Sequence, residues 1–354
     1  MIKDTPSSVA TTGRNPFVTI AIPTYNRASW LDECLRTTLA QSYDNFEVLV
    51  SDNASTDGTA EQLKKIDNAR LRVLTQQQNI GLIPNWNACL AAAKGEYIIF
   101  VSDDDRIAPW LLDRCVSLVD ADPDVAMVVA LSKSHLAEED LTIPATTSKK
   151  FKTGVWSGVG ILQEYLQNHI SASMCTIMIR TETLRGRGGF PSAWPHAADT
   201  AGWAPILLTG KAGLVNEYCG TCGIHGASET SKFSDDVILN DLRKLVDLIS
   251  AEADRNIGEP RMRQQVKLQA RRFFTICMTH LAVSHRRQDA KFVDVARMIW
   301  KWRRDLAVPE AADCFRYARP LAILLAPLPA AKWIRRFIPR PRRAETTIGR
   351  PGAV

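Results

Sequence analysis

Three consecutive carboxylates, Asp103-Asp104-Asp105, follow Ser102 directly after the apolar run Tyr97-Ile-Ile-Phe-Val101. Carboxylate oxygens are hard ligands that suit Mg²⁺ or Mn²⁺. Such ions take one or two protein carboxylates, keep several waters and complete their shell with phosphate oxygens. A block of Tyr, Ile, Phe and Val entered through Gly95 reads as a buried parallel strand, and the C-terminal end of such a strand is where open α/β sheets bind ligands. The run therefore fits a divalent cation holding a diphosphate. It fits equally a solvated acidic turn capping the next helix, since Asp favours the N-cap and Pro109 soon follows.

Two upstream segments deliver polar loops to the same edge. Phe17-Val-Thr-Ile-Ala-Ile22 is a short apolar strand ending in Pro23-Thr24-Tyr25-Asn26-Arg27, and Phe46-Glu-Val-Leu-Val50 is a second ending in Ser51-Asp52-Asn53. Between them Trp30-Leu31, Cys34-Leu35 and Thr38-Leu39 keep the spacing of one apolar helical face, so the stretch reads as a βαβ unit with a parallel sheet. At such a tip Asp52 can accept a hydrogen bond from a base or ribose, while Thr24, Tyr25 and Arg27 offer backbone, ring and charge to a nucleotide. Asp57-Gly58 reads as an ordinary turn and helix start. No GxGxxG or GxxxxGK[ST] loop is present, so neither a dinucleotide fingerprint nor a P-loop is supported.

In this order, Ile22-Pro-Thr-Tyr-Asn-Arg27, Ser51-Asp-Asn-Ala-Ser-Thr-Asp-Gly-Thr59, Asn79-Ile-Gly81, Ala93-Lys-Gly-Glu-Tyr97 and Ser102-Asp-Asp-Asp105 resemble the family 2 glycosyltransferases of bacterial polysaccharide type. The resemblance covers roughly residues 16 to 125 and implies the GT-A fold, an α/β architecture with a mixed, mostly parallel sheet and flanking helices. It implies that Pro23, Thr24, Tyr25, Arg27, Asp52 and Asn79 lie on the nucleotide-sugar donor, with Asp103 near the ribose. Asp104 or Asp105 would bind Mn²⁺ or Mg²⁺ on the diphosphate. The chain departs from the commoner pattern, which has an aspartate in place of Ser102 and a second aspartate-glycine pair in place of Asn53-Ala54.

The resemblance continues more weakly past residue 170. Met174-Cys-Thr-Ile-Met-Ile179 reads as a further strand, followed by the glycine-rich Arg185-Gly-Arg-Gly-Gly189. Relatives place a carboxylate base shortly after such a segment, and here Asp199 occupies the slot. An inverting transfer needs that carboxylate to deprotonate the acceptor hydroxyl as it attacks the anomeric carbon. Asp199 can also simply cap a helix running from Thr200 towards Leu208. His225 falls where relatives carry a histidine able to approach the metal, although a lone histidine also serves structure. His196 is expected to be exposed, and Cys219 and Cys222 to be packed thiols, since no second Cys or His pair lies at zinc spacing.

The chain has 354 residues, a net charge of +6 and 45% hydrophobic content, which excludes a disordered chain and allows a substantial core. Scattered cysteines and a polar start without a secretory apolar region suit the cytoplasm. From about Asp235 the pattern turns to amphipathic helices whose Arg271-Arg272, Arg286-Arg287 and Arg303-Arg304 pairs read as solvated faces, not as a nucleic-acid surface. The expected organisation is a flexible start at 1–13, a GT-A domain at 14–230, a helical region at 231–330 and a basic tail at 331–354. No run reaches the ~18 apolar residues of a spanning helix. In the tail, Trp333, Ile334, Phe337 and Ile338 interleave with Lys332, Arg335, Arg336, Arg340, Arg342 and Arg343, a composition suited to the anionic inner face of the cytoplasmic membrane.

These features together imply metal-dependent, inverting transfer of a sugar to a hydroxyl of a glycan or lipid-linked glycan. Nucleotidyl transfer on the same fold lacks its triphosphate-clamping loop after the first strand. A non-catalytic nucleotide-binding or scaffold protein of an envelope assembly complex is the alternative from another class.

Overall fold

The structure is a computed structural model and describes residues 13–136, 151–224, 232–287 and 292–306. The chain divides into two compact units, 1–269 and 270–354.

The first unit is built on one mixed sheet. Its opening strands β1 (Val18–Thr24) and β2 (Phe46–Asp52) are buried at every position, as strands covered on both faces must be, so their sequences show continuous apolar runs and not alternation. Between them α1 (Ala28–Leu39) buries Leu31, Cys34, Leu35 and Thr38, the face that the spacing indicated. Next come α2 (Thr59–Lys64), β3 (Leu71–Thr75), α3 (Leu82–Ala92) and β4 (Tyr97–Phe100). Strands β3, β2, β1 and β4 pair in that order, all parallel.

Gly95 is required where the chain enters β4. A Cβ there would lie 2.4 Å from the Thr19 backbone nitrogen and 2.5 Å from the Tyr97 carbonyl oxygen, so only glycine allows this approach of two backbones. The Gly95 N–H donates to Thr19 Oγ1, and that hydroxyl donates to the buried carboxylate of Glu47, which also receives a two-pronged Arg72 and the Lys94 N–H. This network ties β1, β2 and β3 together at the sheet edge opposite the acidic loop.

The second half of the sheet contains β5 (Arg106–Ile107), β6 (Met127–Leu136), β7 (Gly154–Ser157), β8 (Ile177–Arg180) and β9 (Lys211–Ile224). Here β8 lies antiparallel between β4 and β6, β6 runs parallel to β9, and β5 and β7 flank β9 antiparallel. The strand expected at 174–179 starts later. Residues Met174–Thr176 form a 3-10 turn, because the Thr176 hydroxyl and amide both bond to the Ser173 carbonyl and close the chain locally. Helix α4 (Leu111–Ala121) adds Leu111, Leu112, Cys115 and Val119 to a core shared with Ile20, Ile22, Val48, Val50 and Ile99.

Helices α5 (Gly158–Leu166), α6 (Thr181–Gly186), α7 (Ala198–Trp203) and α8 (Asp235–Asn256) and the start of α9 (Pro260–Arg287) complete the first unit. The second unit holds the rest of α9 and α10 (Phe292–Trp302), where the Phe274 and Trp302 rings lie 5.9 Å apart. Among the described residues no helix is long and apolar enough to cross a membrane.

Candidate active site

Strand β4 places the acidic run at its C-terminal end. The Asp105 N–H donates to the Ser102 carbonyl at 2.9 Å, closing a turn whose other prop is the Cys34 thiol, 3.4 Å from the same carbonyl. Asp103 and Asp105 are buried. Arg27 Nε stands 3.6 Å from Asp103 Oδ1, so the loop after β1 meets the loop after β4. Burial, and then the charge of Asp104, raises Asp103 to about 7, with Arg27 among the groups that oppose the rise. Asp105 also rises to about 7, again from burial and then Asp104, while the Gly223 N–H, donating at 3.1 Å, favours its ionised form. Three carboxylates crowded until two of them resist ionising form a donor set that a cation would relieve. Among the described residues no three His, Cys, Asp or Glu side chains form a metal cage. A divalent ion here would therefore draw most of its shell from phosphate and water, as Mg²⁺ and Mn²⁺ do.

The nucleoside side is built from the tips of β1 and β2. Pro23 and Thr24 are buried, whereas the Tyr25 ring is 42% exposed at the strand end. Asn26 adopts φ 54°, donates its N–H to Ser55 Oγ and accepts the Thr56 N–H, so the two loops share one hydrogen-bonded turn. Asp52 is fully enclosed and accepts the Ser55 N–H at 3.0 Å, so one of its oxygens shapes its own loop. Asn53 bonds to Asn79 Oδ1 and the Ile80 N–H, and the same Asn79 oxygen takes the Gly81 N–H. Asn79 thereby positions the β2 tip. Asp57 is a turn residue, as expected, and it spans two helix starts by accepting the N–H groups of Ala28 and Thr59.

Farther along the chain, α7 places Asp199 in its first turn. Ala197, not Asp199, holds the N-cap position, and the helix proper stops at Trp203 before a 3-10 turn over Ala204–Leu208. Thr200 Oγ1 donates to Asp199 Oδ1 at 3.3 Å, and burial raises this carboxyl. The Cys222 thiol is pushed up by the charge of Asp105, by burial and by the charge of Asp104, with a smaller contribution from Asp199.

His196 is half-buried and not exposed as expected: its backbone N–H donates to Asp241 of α8 at 2.9 Å, and its ring lies 6.2 Å from that of Phe233. Cys219 is packed in the core. His225 lies outside the described residues, as does the tail. Sequence reasoning missed Asn53, Cys175, Cys222 and Gly223 as neighbours of the site. The paired glycines Gly220 and Gly223 within one strand were the available signal, since glycine inside a strand often marks a close approach.

Residues 19–181 match the model of glycosyl transferase family 2. Over that stretch the chain is similar to the family 2 glycosyltransferases. The matched stretch runs from β1 through β8 and includes the acidic loop, while Asp199 and β9 lie beyond it. A chondroitin synthase of Pasteurella multocida is 26% identical over 227 residues, 63% of this chain and 22% of that protein. TarS of S. aureus, solved with UDP-GlcNAc, shares the fold with a TM-score of 0.58 at 18% identity over 72% of each chain. The mannosyltransferase PcManGT of Pyrobaculum calidifontis, solved with GDP-Man and Mn²⁺, gives a TM-score of 0.53 at 20% identity over 95% of this chain and 89% of its own. The chain spans 22–40% of the length of the first curated relatives that it matches.

Proposed function

We propose that the protein transfers a sugar from a nucleotide-sugar donor to a hydroxyl of a glycan or lipid-linked glycan, with inversion at the anomeric carbon. The observation that carries this reading is the meeting of the loops after β1 and β4 at one sheet edge, where Arg27 Nε stands 3.6 Å from Asp103 Oδ1 beside the exposed Tyr25 and the buried Asp52. Relatives that synthesise or transfer sugars, and fold neighbours solved with UDP-GlcNAc or GDP-Man, support it.

In this reading Tyr25 stacks on the base, and the β1 and β2 tips hold the nucleoside. Arg27, paired with Asp103, orients the ribose and diphosphate. A divalent cation, when bound, neutralises the charge that develops on the departing diphosphate. Asp104 or Asp105, at the end of β4, would hold it, with most of the remaining shell drawn from phosphate and water. Asp199 accepts the proton of the acceptor hydroxyl; its raised affinity for protons makes it a stronger base than an ordinary exposed carboxylate.

The test is a screen of UDP-, GDP-, dTDP- and CDP-sugars with Mn²⁺ and varied glycan acceptors, reading nucleotide release and the anomeric configuration of the product. Transfer with inversion is expected. Intact donors throughout would favour a nucleotide-binding or scaffold role.

A further inference from the structure

The end of β9 carries two glycines, and Gly223 meets the acidic loop from both of its chemical sides. Its N–H donates to Asp105 Oδ1 at 3.1 Å. A Cβ built on it would stand 2.9 Å from the Asp104 carbonyl oxygen and 3.5 Å from Asp104 Cβ. The first contact holds one carboxylate in place; the second means that the Asp104 backbone rests on the space a side chain would fill. Pairing of β5 with β9, Arg106 opposite Thr221 and Ile107 opposite Gly220, brings the two segments together.

We infer that Gly223 is a positioning residue for Asp104: the bare backbone at the end of β9 sets the height at which the Asp104 carboxylate meets a cation-bound diphosphate. The inference deepens the proposed function and rests on it. Gly223 does not adopt a left-handed conformation, so its identity is dictated by the approach of Asp104 and not by its own dihedral angles. A contact under 3.0 Å to a backbone atom cannot be relieved by turning a side chain, so alanine must move either β9 or the acidic turn. The turn is the shorter and less paired of the two. Displacement of a reacting group by about 1 Å costs on the order of 10²-fold in rate, and a metal ligand carried on the turn moves with it.

A second glycine on the same strand provides the control. At Gly213 a Cβ would meet Leu118 Cδ1 and Val128 Cγ2, both at 2.9 Å, in the core and away from the acidic loop. Both Gly223→Ala and Gly213→Ala are expected to lower the unfolding temperature. Only Gly223→Ala should change the response to metal.

The experiment measures equilibrium binding of UDP and of GDP to the full chain with and without Mn²⁺, together with direct Mn²⁺ binding by electron paramagnetic resonance. For Gly223→Ala the Mn²⁺-dependent gain in nucleotide affinity should fall about tenfold or more. For Gly213→Ala the gain should match wild type. A wild-type gain in Gly223→Ala, or an equal loss in both variants, would overturn the positioning role and leave the transferase reading intact. A wild-type protein whose nucleotide affinity ignores Mn²⁺ would overturn the metal-dependent reading itself, and the inference with it.

Discussion

Arg27 Nε lies 3.6 Å from Asp103 Oδ1, so the first residue of the acidic run is held by the loop that closes β1. The third, Asp105, is held from the opposite side by Gly223. Asp104 is therefore the carboxylate between two anchored neighbours, and its charge is what raises both of theirs, after burial.

Asp104→Asn should abolish the Mn²⁺-dependent gain in nucleotide-diphosphate affinity and lower turnover by several orders of magnitude, because the charge opposing the leaving diphosphate is lost with the ligand. Calorimetric titration with and without metal, alongside single-turnover transfer, checks both halves. Full activity of the wild type in a chelator would contradict the assignment.

Asp199→Asn should leave donor affinity nearly unchanged and reduce kcat by about 10² to 10⁴-fold, the usual share of general-base catalysis. Burial raises the Asp199 carboxyl above the ordinary value of 3.8. Wild-type kcat should then rise with pH through that elevated value as the base ionises, and the limb should vanish in the variant. A pH-rate profile lacking the limb in wild type would point to another base.

Glu47 tests the structural end of the sheet. Its carboxyl sits below its usual value: burial pushes it up, but Arg72, the Lys94 N–H and Thr19 together pull it further down. For a lowered carboxyl the stabilisation is present above the unfolded value of 4.5 and is lost as pH falls through the folded value. Glu47→Gln should cost about 1.5 kcal/mol at neutral pH, because the half-buried Arg72 loses its counter-charge and the Lys94 N–H and Thr19 hydroxyl lose a charged acceptor. The loss should shrink towards pH 3 in urea unfolding, and a pH-independent difference would contradict the linkage.

Ala54 has φ 61°, a left-handed conformation that costs a residue with a Cβ roughly 1 kcal/mol. Ala54→Gly relieves it, partly offset by glycine's greater unfolded-state entropy, and should raise stability by about 0.5 kcal/mol with nucleotide affinity unchanged. Thermal unfolding of the two proteins decides the sign.

Truncation after Ala331 should remove cosedimentation with anionic liposomes at low salt. Each basic residue near an anionic surface contributes about 1 kcal/mol, a contribution screened by salt. Equal binding by full and truncated chains would remove the membrane role without touching the transferase reading.

Local chemistry alone determined much of this molecule. Largely apolar runs at Phe17–Ile22, Phe46–Val50 and Tyr97–Val101 read as strands buried on both faces, with the polar residues after each emerging at one edge. That made Tyr25, Asp52 and Asp103 to Asp105 legible as one site. The 3-10 turn at Met174–Thr176 was not legible, because its apolar composition is that of a strand and the deciding bonds come from the Ser173 carbonyl. Nor was the half-burial of His196, whose segment is tied by its backbone N–H to Asp241, 45 positions later. The differing contacts of Asp103 and Asp105 were decided by tertiary structure for the same reason. Gly223 lies 118 positions from Asp105, and no periodicity or neighbouring residue encodes which distant backbone will press against a loop. Short-range pattern sets which face of an element is apolar, whereas the contacts that distinguish one aspartate from the next form only when distant strands pack.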